Sequence, residues 1–193
     1  MSLTPSTMLP LGTSAPDFHL PDAASGKAVA LADFAAAPAL LVAFICNHCP
    51  YVKHVRAGLT QLWRDFQARG AAVVAISAND AGSHPQDGPA AMAAEARAAG
   101  YTFPYLYDET QAVAKAYRAA CTPDFFLFDQ SRRLVYRGQM DGSRPGSNLP
   151  VTGADLRAAL EALFEGKPMA AQQKASIGCN IKWKPGNEPD YFR

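Results

Sequence analysis

Between Leu40 and Phe66 the chain changes its period. Leu40 to Ile45 is an unbroken apolar run, as expected for a strand buried on both faces. From Val52 onward the apolar residues are Val55, Leu59, Leu62 and Phe66, in steps of 3, 4, 3 and 4 that share one face of a helix. The handover occurs within Cys46-Asn47-His48-Cys49-Pro50, so a buried strand must pass into a helix in a few residues, with two thiols at the junction. The alternation continues downstream. Ala72 to Ser77 and Tyr105 to Tyr107 read as strands, and Pro89 to Ala99 as an Ala-rich helix closed by Gly100. Thr110 to Ala120 reads as a short helix. Phe125 to Phe128 and Leu134 to Arg137 read as a hairpin turned at Asp129 to Arg132, and Ala154 to Phe164 as the last helix, ended by Gly166. Ahead of all these, Phe18 to Leu20 and Ala28 to Leu31 read as short strands around Ser25-Gly26. Strands alternating with helices predict an α/β sandwich, and the hairpin makes its sheet mixed.

The 193 residues suit one domain with its own core, needing no disulfide or structural metal to hold it. A formal charge of +1 provides no electrostatic footprint for nucleic acid or an anionic membrane. The longest strongly apolar stretch, Ala35 to Cys46, is interrupted by Pro38 and is too short to span a bilayer. The first residues lack the basic and apolar runs of a secretory signal, so the expected compartment is cytoplasmic. Thiols stay mostly reduced there, and a close pair points to redox work or metal binding more than to a structural staple.

Cys46 and Cys49 are spaced to close a disulfide, one thiol attacking a partner and the other resolving it. A helix N-terminus offers unpaired N–H groups and a positive dipole end, which stabilise a thiolate. A cationic His48 adds to that field. Proline fits best at the first helical position, which makes Cys49 the N-cap and favours it as the attacking thiolate, with Cys46 resolving. The opposite assignment stays open, with Pro50 then one turn inside the helix. Two other readings stand beside this one: inert buried cysteines, and a zinc or iron–sulfur site built from Cys46, Cys49, Cys121 and Cys179. The last two cysteines are single rather than a second pair, so no metal and no cofactor is expected.

Three stretches now carry a resemblance. They are Gly12 through Asp22 with Lys27 to Phe34, then Phe44 to Lys53 around the two thiols, then Cys121-Thr122-Pro123-Asp124-Phe125-Phe126-Leu127-Phe128-Asp129. In this order the chain resembles the thioredoxin-like superfamily, and within it the alkyl hydroperoxide reductase/thiol-specific antioxidant group and its peroxiredoxin-like branch. The resemblance implies a thioredoxin-like sandwich over residues 17–166 with an N-terminal β extension. It also implies that Pro123 is a cis-proline facing the thiols, and that the Thr122 backbone can pair with an extended substrate segment. Two departures stand out. The peroxiredoxin motif carries a Thr three residues before its attacking cysteine, where this chain has Cys46. If Cys49 matches the first cysteine of the thioredoxin motif, Val52 stands where the second would be.

The expectation is therefore a thiol–disulfide oxidoreductase, with Cys49 attacking, Cys46 resolving, His48 tuning the thiolate, and Thr122 and Pro123 shaping the substrate groove. A thiol peroxidase passing through a sulfenic acid is the alternative, and a non-enzymatic redox sensor or metal-binding module a third. The expected partners are a protein or small-molecule thiol or disulfide and an electron donor. Residues 1–16 read as an extended arm and 167–193 as a tail. Ile177, Ile181 and Trp183 predict that this tail docks on the domain. Cys121 and Cys179 remain candidate secondary redox thiols, Cys179 either reaching Cys49 or fixing the tail by packing.

Overall fold

A buried parallel ladder forms where the continuous apolar runs predict it. The computed structural model describes residues 3–192. The elements in chain order begin with β1 (Leu3–Pro5), β2 (His19–Pro21), β3 (Ala28–Ala30), β4 (Leu40–Phe44), α1 (Pro50–Gln67), β5 (Ala72–Ser77) and α2 (Pro89–Ala99). They continue with β6 (Tyr105–Tyr107), α3 (Ala112–Ala116), β7 (Cys121–Thr122), β8 (Asp124–Phe128), β9 (Leu134–Gly138), α4 (Ala154–Phe164) and β10 (Ile177–Asn180). The central sheet runs β6-β5-β4-β8-β9, with β4, β5 and β6 parallel and β8 and β9 antiparallel. It is the mixed sheet expected, with helices on both faces, and the fold is thioredoxin-like.

Alternation along β4 divides the core in two. Leu41, Ala43 and Ile45 face the apolar stripe of α1, with α2 and α4 completing that layer. Leu40, Val42 and Phe44 face α3, the N-terminal segment around Leu9 and Phe18, and Ile181 and Trp183 of the C-terminal segment. The α1 stripe is buried as its spacing predicts: Val52, Val55, Leu59, Leu62 and Phe66 all lie inside, with Trp63 beside them. Burying each such side chain contributes about 2 kcal/mol.

Two elements differ from the sequence expectation. The helix expected over 110–120 forms only at Ala112–Ala116, because Arg118 takes a left-handed φ of 50° and the following residues extend into β7. The segment after residue 167 carries a strand that no periodicity announces. β10 is the middle strand of a second sheet, β1-β10-β7. Leu3 pairs with Cys179 on one side, and Cys179 pairs with Thr122 on the other. Met1 and Ser2 of the expected arm and Arg193 of the expected tail lie outside the described residues.

Candidate active site

Strand β4 delivers Cys46, and α1 starts at Pro50 with Cys49 as its N-cap in extended conformation. Both thiols are buried, at 2% and 0% exposure. The Cys46 thiol donates toward the Cys49 sulfur, which holds Cys49 well below the ordinary thiol range and pushes Cys46 well above it. Burial opposes the thiolate at Cys49. The Thr122 and Cys179 side chains and the Val52 N–H favour it, the last pointing at the sulfur from the first helical turn without closing a full cap. The Thr122 carbonyl, 3.2 Å from Cys49 Sγ, accepts a hydrogen bond from Cys49 when it is a thiol. Cys46 Sγ lies 3.4 Å from the Thr122 hydroxyl and 4.0 Å from His48 Nδ1.

The loop between the thiols is pinned by a residue that the sequence reading passed over. Asp87, fully buried, accepts from the Asn47 N–H at 2.9 Å and the His48 N–H at 3.1 Å with one oxygen. Its other oxygen takes the Asn79 amide at 2.9 Å and hydrogen-bonds His48 Nδ1. Four donors around one carboxylate fix the backbone of Asn47 and His48 and aim the imidazole. The Tyr105 hydroxyl donates to the Asn47 side chain at 3.1 Å. His84 stacks on His48, ring centroids 5.1 Å apart, and its pKa is lowered by burial and then by the neighbouring imidazole. One signal could have found Asp87 and His84: both lie in the polar loop after parallel strand β5, and ligand sites in α/β sheets gather beyond the C-terminal ends of such strands. Cys46 Sγ, His48 Nδ1 and an Asp87 oxygen lie within 4.8 Å of one another, a set able to hold a metal ion. Of the four cysteines it includes Cys46 alone, so the four thiols do not converge on one such centre among the described residues.

Across from the thiols, Thr122–Pro123 is a cis peptide. Cys121 is buried beside it, its thiol 3.7 Å from the Pro123 carbonyl, and burial pushes its pKa well up. Cys179 sits opposite Thr122 in the β10–β7 ladder, also pushed up by burial and by its contact with Cys49. The structure thus brings Cys46, Cys49, His48, Thr122, Pro123 and Cys179 together, and leaves Cys121, within β7, as a buried thiol against the Pro123 carbonyl.

Asp124, the next residue, is fully buried, and neither of its carboxylate oxygens completes a hydrogen bond although Ser6 and Ser176 lie near. Burial raises it from 3.8 to about 7. The folded protein then binds a proton here that the unfolded chain has lost, so stability falls as pH rises from about 4 to about 7 and levels off beyond. This change is on the order of a few kcal/mol. Asp124→Asn is expected to flatten that part of a Tm-against-pH curve; parallel curves for variant and parent would refute the assignment.

Comparison with known proteins adds to this geometry. The sequence profile of the AhpC/TSA family matches residues 11–137. An uncharacterized conserved protein from Geobacillus kaustophilus is 54% identical, with a TM-score of 0.94 over 96% of this chain and 98% of its own. A hypothetical protein from Sinorhizobium meliloti is 55% identical, with a TM-score of 0.92 over 94% and 98%. Peroxidoxin BcpB from Mycobacterium tuberculosis shares the fold at 20% identity, with a TM-score of 0.60 over 79% and 96%. No curated protein matches the chain. Among the described residues no helix is long and apolar enough to cross a membrane.

Proposed function

We propose that this chain, which belongs to the AhpC/TSA family, serves within that thiol-dependent redox class as a thiol–disulfide oxidoreductase. Cys49 attacks a substrate disulfide and forms a mixed disulfide with one half, while the other half leaves as a thiolate. Cys46 then attacks Cys49, closes the Cys46–Cys49 bond and releases the second half. An electron donor returns both to thiols. The observation that carries this reading is Cys49 at the N-cap of α1 with a second thiol three residues earlier, whose hydrogen bond favours the Cys49 thiolate. The His48 Nδ1–H, aimed by Asp87 and 4.0 Å from Cys46 Sγ, provides a donor beside the resolving thiol that favours negative charge developing on its sulfur. The Thr122 carbonyl lies 3.2 Å from the attacking sulfur. The exchange reading is preferred to a peroxidase because Cys46 occupies the place of the peroxiredoxin Thr and contributes a resolving thiol there. The compartment that suits this chemistry is the reducing cytoplasm.

The test is non-reducing peptide mapping with timed alkylation. A reversible Cys46–Cys49 disulfide is expected after mild oxidation. In the reduced protein Cys49 is expected to alkylate at least tenfold faster than Cys121 near neutral pH, since the thiolate is the reactive form. Equal rates for all the cysteines of the folded protein would end the case for an activated thiol.

A further inference from the structure

The C-terminal strand occupies the edge where a substrate strand would add. β10 pairs antiparallel with β7, placing Cys179 opposite Thr122 and Asn180 opposite Cys121. Thr122 is the residue before the cis peptide, and its carbonyl lies 3.2 Å from Cys49 Sγ. An extended segment on this edge therefore presents its in-register side chain to Cys49, and in this chain that side chain is a cysteine. Gly178 allows the close approach: a Cβ there would lie 2.0 Å from the Thr122 carbonyl oxygen. The Cys179 side chain makes a hydrogen bond with Cys49, and both residues are buried. The position is braced beyond the strand, because the Lys182 N–H donates to Asn79 Oδ1 at 2.8 Å and Asn79 in turn donates to Asp87. The tail and the loop between the thiols are thus held by one network.

We propose that Cys179 is a third exchange thiol, presented to Cys49 by β10 in the manner of a substrate cysteine. The inference rests on Cys49 being the attacking thiol. In the oxidised protein, Cys179 attacks Cys49 Sγ. The Cys49–Cys179 bond forms, the Cys46–Cys49 bond breaks, and the Cys179 proton passes to the departing Cys46 sulfur, with no net oxidation. With a small disulfide as oxidant, Cys49 first forms a mixed disulfide and releases one thiolate. Cys179 then displaces the second, so the protein gives up two electrons and two protons and the oxidant becomes two thiols. A thiol already docked against its target has a large proximity advantage over one arriving from solution.

The experiment uses the Cys46→Ser variant of the full chain with one equivalent of oxidised glutathione, followed by non-reducing peptide mapping. The expected product is an intrachain Cys49–Cys179 link with two glutathione thiols released. A persistent Cys49–glutathione adduct with Cys179 still open to alkylation would overturn the proposal. Adding Gly178→Ala, whose Cβ pushes β10 away from Thr122, is expected to prolong the adduct's lifetime at least tenfold; equal lifetimes would remove the strand from the argument. Stoichiometric oxidation of the unmodified protein, mapped for both linkages, provides a measurement independent of any variant's folding. There a Cys49–Cys179 fraction supports the proposal and its complete absence opposes it. If Cys49 forms neither adduct nor link, the attacking role assigned to it fails, and this inference fails with it. If the adduct forms and stays, only this inference fails.

Discussion

Replacing Cys49 by serine is expected to lower turnover of a small disulfide at least roughly a thousandfold, a loss typical of removing a nucleophile that a catalytic unit depends on. The hydroxyl fits the N-cap, so the melting curve should change little. Cys46→Ser is expected to behave differently. Its first attack survives, since Cys49 keeps its helix position, its Val52 N–H and its Thr122 contacts. Cys46→Ala, which removes the donor that most favours the Cys49 thiolate, should move the pH midpoint of Cys49 alkylation up toward the ordinary thiol value. Single-turnover kinetics distinguish the two roles. Should Cys46→Ser abolish the first attack while Cys49→Ser retains it, the roles are reversed.

The second large effect is on stability. Asp87→Ala is expected to cost about 3–5 kcal/mol, because it strips one acceptor from four buried or half-buried donors at once. For a chain of this length that is a fall in Tm of about 6–20 °C. Asp87→Asn, which keeps one carbonyl oxygen, should recover part of it. Thermal melts at pH 7 decide; a Tm within about 2 °C of the parent would mean the carboxylate does not hold the loop.

Local chemistry was the legible part of this chain. Pro50 marked the start of α1 and so identified its N-cap, and the steps from Val52 to Phe66 gave its buried face, because both signals are written within a few turns of one helix. Ala72–Ser77 and Ala154–Phe164 were equally plain from apolar continuity and from glycine endings. The strand β10 was not. Its residues Ile177, Gly178, Cys179 and Asn180 have no alternation of their own, and they are extended because β1 and β7, far away in sequence, provide partners on both sides. Asp87 was hidden for a similar reason. Among the polar residues from Asn79 to Gly88 nothing local separates it from Asp80, and only the fold shows that one is buried against the thiol loop while the other caps its own turn.

The middle strand of the second sheet is also synthesised after both of the strands it joins. β1 and β7 have no ladder to join until residues 177–180 emerge, several seconds after Thr122 at ordinary elongation rates. Through that interval the β7 edge at Thr122, beside Cys46 and Cys49, has no strand paired to it. Residues 177–180 cover that edge by pairing with β7, and the substrate cysteine's place beside Cys49 is then taken by one from the same chain.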